Sequence, residues 1–160
     1  MKIKVLFVCL GNICRSPSAE GVMRDFVKEA GLDKSIFCDS AGTAAYHVGE
    51  KADARMRKHA FNRGYNLTSI SRKVKSPDDF YNFDYIIGMD DENISDLENI
   101  CPDAQCLKKI HRMVDFCEED KYTKVPDPYY GGAEGFEFVI DILEDACKGL
   151  LNSIREKYNL

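Results

Sequence analysis

The chain begins with an almost unbroken apolar run, Ile3 to Cys9, interrupted only by Lys4. Such a run predicts a strand covered on both faces, because a strand with one face in water alternates with period two. Leu10-Gly11-Asn12-Ile13 reads as a loop. A helical rhythm follows, with Ala19, Val22, Met23, Phe26, Val27 and Ala30 recurring at 3.6-residue spacing. Ser16 is positioned to cap that helix, Pro17 suits its first turn, and Gly31 is a natural stop. Ile36 to Ser40 predicts a second strand, and Met56, Ala60 and Phe61 a short helix ending at Gly64. Phe83 to Met89 predicts a third strand. Asp90 then caps a helix that runs through Ile94 and Leu97 and ends before Pro102. Cys106 to Ile110 is a predicted fourth strand, followed by a long loop from about Met113 to Gly135. A last helix spans about Phe136 to Tyr158, with Val139, Ile142, Leu143, Ala146, Leu150 and Ile154 on its apolar side.

Strands alternating with helices predict an α/β three-layer sandwich built around a mostly parallel sheet. The 160 residues fit a single domain, with no internal repeat, low-complexity tract or linker. Ligands of such sheets bind beyond the carboxyl ends of the strands, and Cys9 falls at one of these ends.

Composition narrows the function. With 44% hydrophobic and 31% charged residues the chain is an ordinary globular sequence. Its net charge of −5 argues against nucleic acid or an anionic membrane as partner, though a local basic pocket is compatible with it. No apolar run approaches the ~20 residues of a membrane span, and the apolar part of the amino terminus is too short for a signal peptide. Seven cysteines is an odd number for a paired secreted framework. There is no Cys-x-x-Cys, and His47, His59 and His111 are scattered, so no metal is expected. Cys38, Cys117 and Cys147 read as buried, inert thiols in a reducing cytoplasmic setting.

The chemistry concentrates in Cys9-Leu10-Gly11-Asn12-Ile13-Cys14-Arg15-Ser16, between the first strand and the first helix. Backbone N–H groups of such a loop can converge on one anion, and the helix N-terminus adds its positive dipole end. The same field favours the thiolate form of a cysteine at its centre. Arg15 offers a planar fork that holds two phosphate oxygens at once, and the Ser16 hydroxyl can donate to the sulfur. Taken singly, each residue has a plainer reading: a packed thiol, a surface charge, a cap. The placement of Cys and Arg between a buried strand and an amphipathic helix is far more restrictive than the residues alone.

Val8-Cys9-Leu10-Gly11-Asn12-Ile13-Cys14-Arg15-Ser16-Pro17 resembles the signature of the low-molecular-weight protein tyrosine phosphatases. Asp39 to Thr43, Phe83 to Asp90 and Asp127 to Gly131 match the family in order, so the similarity covers nearly the whole chain. The resemblance implies a four-stranded parallel sheet flanked by helices, and hydrolysis of phosphotyrosine and small aryl phosphates without metal or other cofactor. It casts Cys9 as nucleophile, Arg15 as phosphate ligand and Asp127 as general acid and base, with residues Leu10 to Ser16 cradling the phosphate. Asn12, Ser16 and Ser40 match positions that brace the loop. Ser69 occupies the place of a family histidine, and the histidine's bracing role is not carried over to it. Arg72 and Asp90 match further family positions. Tyr46, His47, Tyr129 and Tyr130 line the implied substrate crevice, and Cys14 matches a second cysteine able to act as redox partner of Cys9. The implied partners are phosphotyrosine-containing proteins, with weak self-association left open. Two alternatives are weighed against this. A thioredoxin-coupled arsenate reductase of the same fold would need a cysteine where Gly88-Met89-Asp90 stands, and Cys101 and Cys106 lie too far along. A non-catalytic phosphotyrosine-binding module would be expected to lack Cys9, Arg15 or Asp127.

Overall fold

The computed structural model describes residues 2–160. Its sheet has four parallel strands in the order β2-β1-β3-β4, formed by β1 (Ile3–Cys9), β2 (Ile36–Gly42), β3 (Tyr85–Gly88) and β4 (Ile110–Arg112). β1 lies at the centre, with Val5 paired to Cys38 on one side and to Tyr85 on the other. Its side chains alternate between two separate cores, which is why the run shows no polar face. Val5, Phe7 and Cys9 pack towards α1 (Arg15–Glu29) and α6 (Ala133–Tyr158). Leu6 and Val8 pack on the opposite face with Phe80 of α3 (Asp78–Asn82) and Leu97 of α4 (Asp91–Ile100).

The predicted apolar side of α6 is wholly buried: Val139, Ile142, Leu143, Ala146, Leu150 and Ile154 are all 0% exposed. At about 1.5–3 kcal/mol for each large side chain, this burial rather than helix propensity holds the 26-residue helix in place. α2 (Ala54–Asn62) is capped by Asp53, whose carboxylate accepts from the N–H groups of Arg55 and Met56, and it stops at Gly64 with φ +93°. Asp90 caps α4 as predicted, accepting from Asn93 N–H at 2.8 Å.

Four expectations need correction. The predicted strand Cys106–Ile110 is displaced: Asp103 accepts from Cys106 N–H at 2.9 Å and caps a one-turn helix, α5 (Ala104–Leu107). The strand therefore starts at Ile110, where it pairs with Ile86. The loop from Met113 to Gly135 holds a 3₁₀ turn at Met113–Phe116, and its end already belongs to α6. Helix α3 was not predicted, because five residues are too few for a periodic signal. Ser16 is not the cap of α1. The curl of the loop brings the chain into helical geometry at Arg15, with Cys14 at the cap position and no side-chain cap bond. Ser16 thus sits inside the first turn, its hydroxyl engaged elsewhere.

Candidate active site

β1 ends at Cys9 and α1 begins at Arg15, so five residues reverse the chain above the sheet. Asn12 takes a left-handed conformation there, φ +57°. Asparagine tolerates it because its short side chain can bond locally. Its Nδ2 donates to Ser16 Oγ at 2.8 Å and to Ser40 Oγ at 3.0 Å, and its Oδ1 accepts from Arg72 N–H at 3.0 Å. Ser71 Oγ donates to the carbonyl of Gly11 at 3.0 Å, and Thr43 N–H to that of Cys9 at 2.9 Å. β2 approaches so closely that a Cβ on Gly42 would lie 2.7 Å from the Leu10 carbonyl oxygen. The loop is thus clamped from two sides. At its base Ser16 Oγ lies 3.0 Å from Cys9 Sγ.

Arg15 is 3% exposed and lies across the pocket beside the loop. Its Nη1 donates to Asp90 Oδ2 at 2.6 Å and to the Val125 carbonyl at 3.1 Å. Burial draws its pKa down, but Cys9 and Asp90 outweigh this, so the guanidinium is held charged above its ordinary range. Its Nη2 faces Asp127 Oδ2 at 3.8 Å. Asp127 stands at the mouth, 40% exposed, on a loop anchored where Val125 N–H donates to the Met89 carbonyl. The Asp127 Oδ1 accepts from Tyr129 N–H at 3.0 Å, which is the turn that Asp-Pro suggested.

Tyr129 forms one wall of the crevice, with its ring centroid 6.1 Å from that of His47 and 5.0 Å from that of Tyr130. Arg55 fixes this wall: Nη2 donates to the Tyr129 carbonyl at 2.9 Å, and the guanidinium lies over the Tyr129 ring. Tyr46 and Tyr130 stand largely in solvent, 75% and 91% exposed. His47 Nδ1 lies 2.8 Å from Glu50.

One pocket is therefore lined by Cys9, Leu10, Gly11, Ile13, Cys14, Arg15, Tyr46, His47, Asp127, Tyr129 and Tyr130. Asn12 of the loop, Ser16 of the first turn of α1 and Ser40 of β2 do not line this pocket and are joined to one another by hydrogen bonds. Sequence reasoning missed Ser71 and Arg55, and assigned no contact to Asp90 beyond its cap. The bond from Ser71 lies two residues past Ser69. Glu20, buried against Ser40, was also missed, because a glutamate beside the apolar face of a helix reads as solvated. Cys101 and Cys106 belong to the opposite core. Among the described residues no group of three or more His, Cys, Asp or Glu side chains is arranged to hold a metal ion, and no helix is long and apolar enough to cross a membrane.

The model of one protein family, low molecular weight phosphotyrosine protein phosphatase, matches residues 4–160. The chain belongs to that family. It is 39% identical over 158 residues to the low molecular weight protein-tyrosine-phosphatase YfkJ of Bacillus subtilis, covering 99% of both chains. With the human low molecular weight phosphotyrosine protein phosphatase it shares 35% identity over 147 residues, 92% of each chain. A crystal structure of a protein tyrosine phosphatase from Entamoeba histolytica, with Hepes in its active site, superposes with a TM-score of 0.95 at 55% identity. It covers 98% of this chain and 99% of that one. The four-stranded parallel sheet flanked by helices is the fold of these phosphatases.

Proposed function

We propose that this phosphatase hydrolyses phosphotyrosine in two displacements through a phosphate ester on Cys9. The observation that carries the reading is one juxtaposition. A sulfur at the base of an anion-cradling loop faces a buried, charged guanidinium, and a carboxylate waits 3.8 Å from that guanidinium at the mouth. In the first step the Cys9 thiolate attacks phosphorus, the S–P bond forms, and the bond to the tyrosyl oxygen breaks. Asp127 gives that oxygen its proton, which it needs because a phenol of pKa ~10 leaves poorly as an anion. In the second step water attacks phosphorus, Asp127 takes its proton, and the S–P bond breaks to release inorganic phosphate and the thiolate. Arg15 holds the equatorial oxygens as a bidentate fork while charge spreads over them. The hydroxyl of Ser16 steadies the sulfur as nucleophile and again as leaving group.

The crevice supports an aromatic ester over an aliphatic one. The Tyr129 face and the His47 ring can flank a phenyl ring, and a phosphoseryl side chain has no ring to place between them. Proteins bearing phosphotyrosine are the natural substrates of such a site, and small aryl phosphates fit the same mouth. The test is turnover of a phosphotyrosyl peptide beside a phosphoseryl one with chelator present, together with acid-quenched enzyme analysed by mass spectrometry. Phosphate should be found on Cys9, and Cys9→Ser should bind phosphate yet release none from the ester. Turnover by Cys9→Ser above a trace would overturn the nucleophile assignment.

A further inference from the structure

Glu20 is an anomaly in the core. It lies in the first half of α1, 2% exposed, buried with Ser16 one turn before it and Met23 and Val27 after it. Burial raises its pKa above the ordinary carboxylate range, against the opposing pull of Ser40 and Arg24, and Asp39 adds to the rise. The charged and titratable groups facing it are Arg24, one turn on in the same helix, and Asp39 and the buried thiol of Cys38 from β2. Arg24 is half-exposed and reaches back to bond the carboxylate. A protein that keeps such a group against its own desolvation cost has a use for the charge.

That use is legible in the direction of the hydrogen bonds. Its pairing with Arg24 marks Glu20 as a carboxylate, which only accepts, so Ser40 donates its proton to Glu20 Oε1, at 2.7 Å. Ser40 Oγ is then left with lone pairs, and takes one Asn12 Nδ2 proton at 3.0 Å. The second Nδ2 proton goes to Ser16 Oγ at 2.8 Å. Ser16, now an acceptor from Asn12, has its own proton free. Among the described residues, the acceptors within its reach are Cys9 Sγ at 3.0 Å and the Ala41 carbonyl at a longer 3.4 Å. The four polar members Glu20, Ser40, Asn12 and Ser16 are each at least 98% buried, so no bulk water competes for these protons.

We propose that Glu20 is a positioning residue of this phosphatase: its buried negative charge polarises the chain Ser40–Asn12–Ser16 so that the Ser16 proton points at the Cys9 sulfur. A protonated or amide side chain at position 20 can itself donate to Ser40 Oγ, where it competes with Asn12 Nδ2 for the same lone pairs and loosens the order of the chain. The proposal rests on the reading of Cys9 as nucleophile given above. Its chemical content is a sulfur that is stabilised both when it attacks and when it leaves.

The test compares Glu20→Gln with wild type in three measurements. The first is thermal unfolding at pH 7. Because the ionised Glu20 is held against desolvation, the isosteric neutral side chain should leave Tm equal or higher. The second is turnover of an aryl phosphate, where kcat should fall by about ten-fold, the scale of one hydrogen bond to a charged group, with KM little changed. The third is the rate of Cys9 alkylation by iodoacetate, which reads the sulfur without any turnover and should fall several-fold. Ser40→Ala, which cuts the same chain while leaving Glu20 in place, should reproduce the second and third effects. A fall in Tm matching the loss of activity would make Glu20 a structural brace and overturn the proposal. Unchanged alkylation would overturn it as well, whatever the turnover. Activity surviving in Cys9→Ser would defeat only the nucleophile reading, since the alkylation arm is independent of it.

Discussion

Removing the Asp90 carboxylate tests how the guanidinium is aimed. Asp90 does two separable things: Oδ1 caps α4 through Asn93 N–H at 2.8 Å, and Oδ2 receives Arg15 Nη1 at 2.6 Å. Asp90→Ser keeps a good cap and deletes the ion pair, whereas Asp90→Ala deletes both. Breaking a buried pair by removing one partner costs about 3–5 kcal/mol. Here the Arg15 side chain is 4% exposed but that of Asp90 is 20% exposed. Arg15 also keeps its bond to the Val125 carbonyl. The loss in Asp90→Ser should therefore sit near or below the bottom of that range, about 2–3 kcal/mol. Loss of the cap should add about 1 kcal/mol in Asp90→Ala. Urea unfolding gives these differences directly. Activity should fall too, because Nη1 no longer fixes the fork. Removing a donor outright costs roughly 10²–10³-fold, and a misaimed donor should cost less, about 10- to 100-fold in kcat/KM. Saturating phosphate should narrow the stability gap between wild type and Asp90→Ser, since the bound anion supplies the guanidinium with a partner. If Asp90→Ser unfolds within ~0.5 kcal/mol of wild type and keeps its kcat/KM, the ion pair is incidental and this account of Arg15 is wrong.

Asp127→Asn keeps the acceptor for Tyr129 N–H but has no proton to give. It should slow kcat on phosphotyrosine by roughly 10²–10⁴-fold, with the deficit shrinking across aryl phosphates as the leaving group improves, and a deficit independent of leaving group would make the residue structural. Peroxide should inactivate the enzyme by oxidising the Cys9 thiolate to the sulfenic acid, and the Cys14 thiol should then condense with it, releasing water and forming the Cys9–Cys14 bond. Burial, then Asp53 and Cys9, push the Cys14 thiol well up. The bond should accordingly form faster at pH 8.5 than at 6.5, and Cys14→Ser should lose most of its recovery by dithiol reductant; equal recovery would reduce Cys14 to packing. At Gly149 in α6, an added Cβ would lie 1.7 Å from the Phe116 carbonyl oxygen. Gly149→Ala should lose about 3 kcal/mol, the upper end of overpacking, seen as a Tm drop of roughly 6–12 °C, and a drop under ~2 °C would mean that the 3₁₀ turn yields freely.

The local features were legible in the chain itself because each is decided by neighbours in sequence. A run buried on both faces has no polar period, so β1 was readable from Ile3 to Cys9, and the apolar faces of α1 and α6 announced themselves at 3.6-residue spacing. The loop between β1 and α1 was readable because its residues are consecutive, and Asp127-Pro128 declared its turn for the same reason. Where two local signals competed, position was lost: the cap at Asp103 outbid the apolar Cys106 and moved β4 to Ile110. What the tertiary structure alone decided is which distant groups meet. Arg15 finds Asp90 and Val125, Asn12 finds Ser40 and Arg72, and Gly11 finds Ser71, all at separations of 28 to 110 residues. The polarity of the network behind Cys9 depends on the burial of Glu20, and burial is a property of packed layers. A charged residue on a helix reads as solvated until the sheet that covers it is in place.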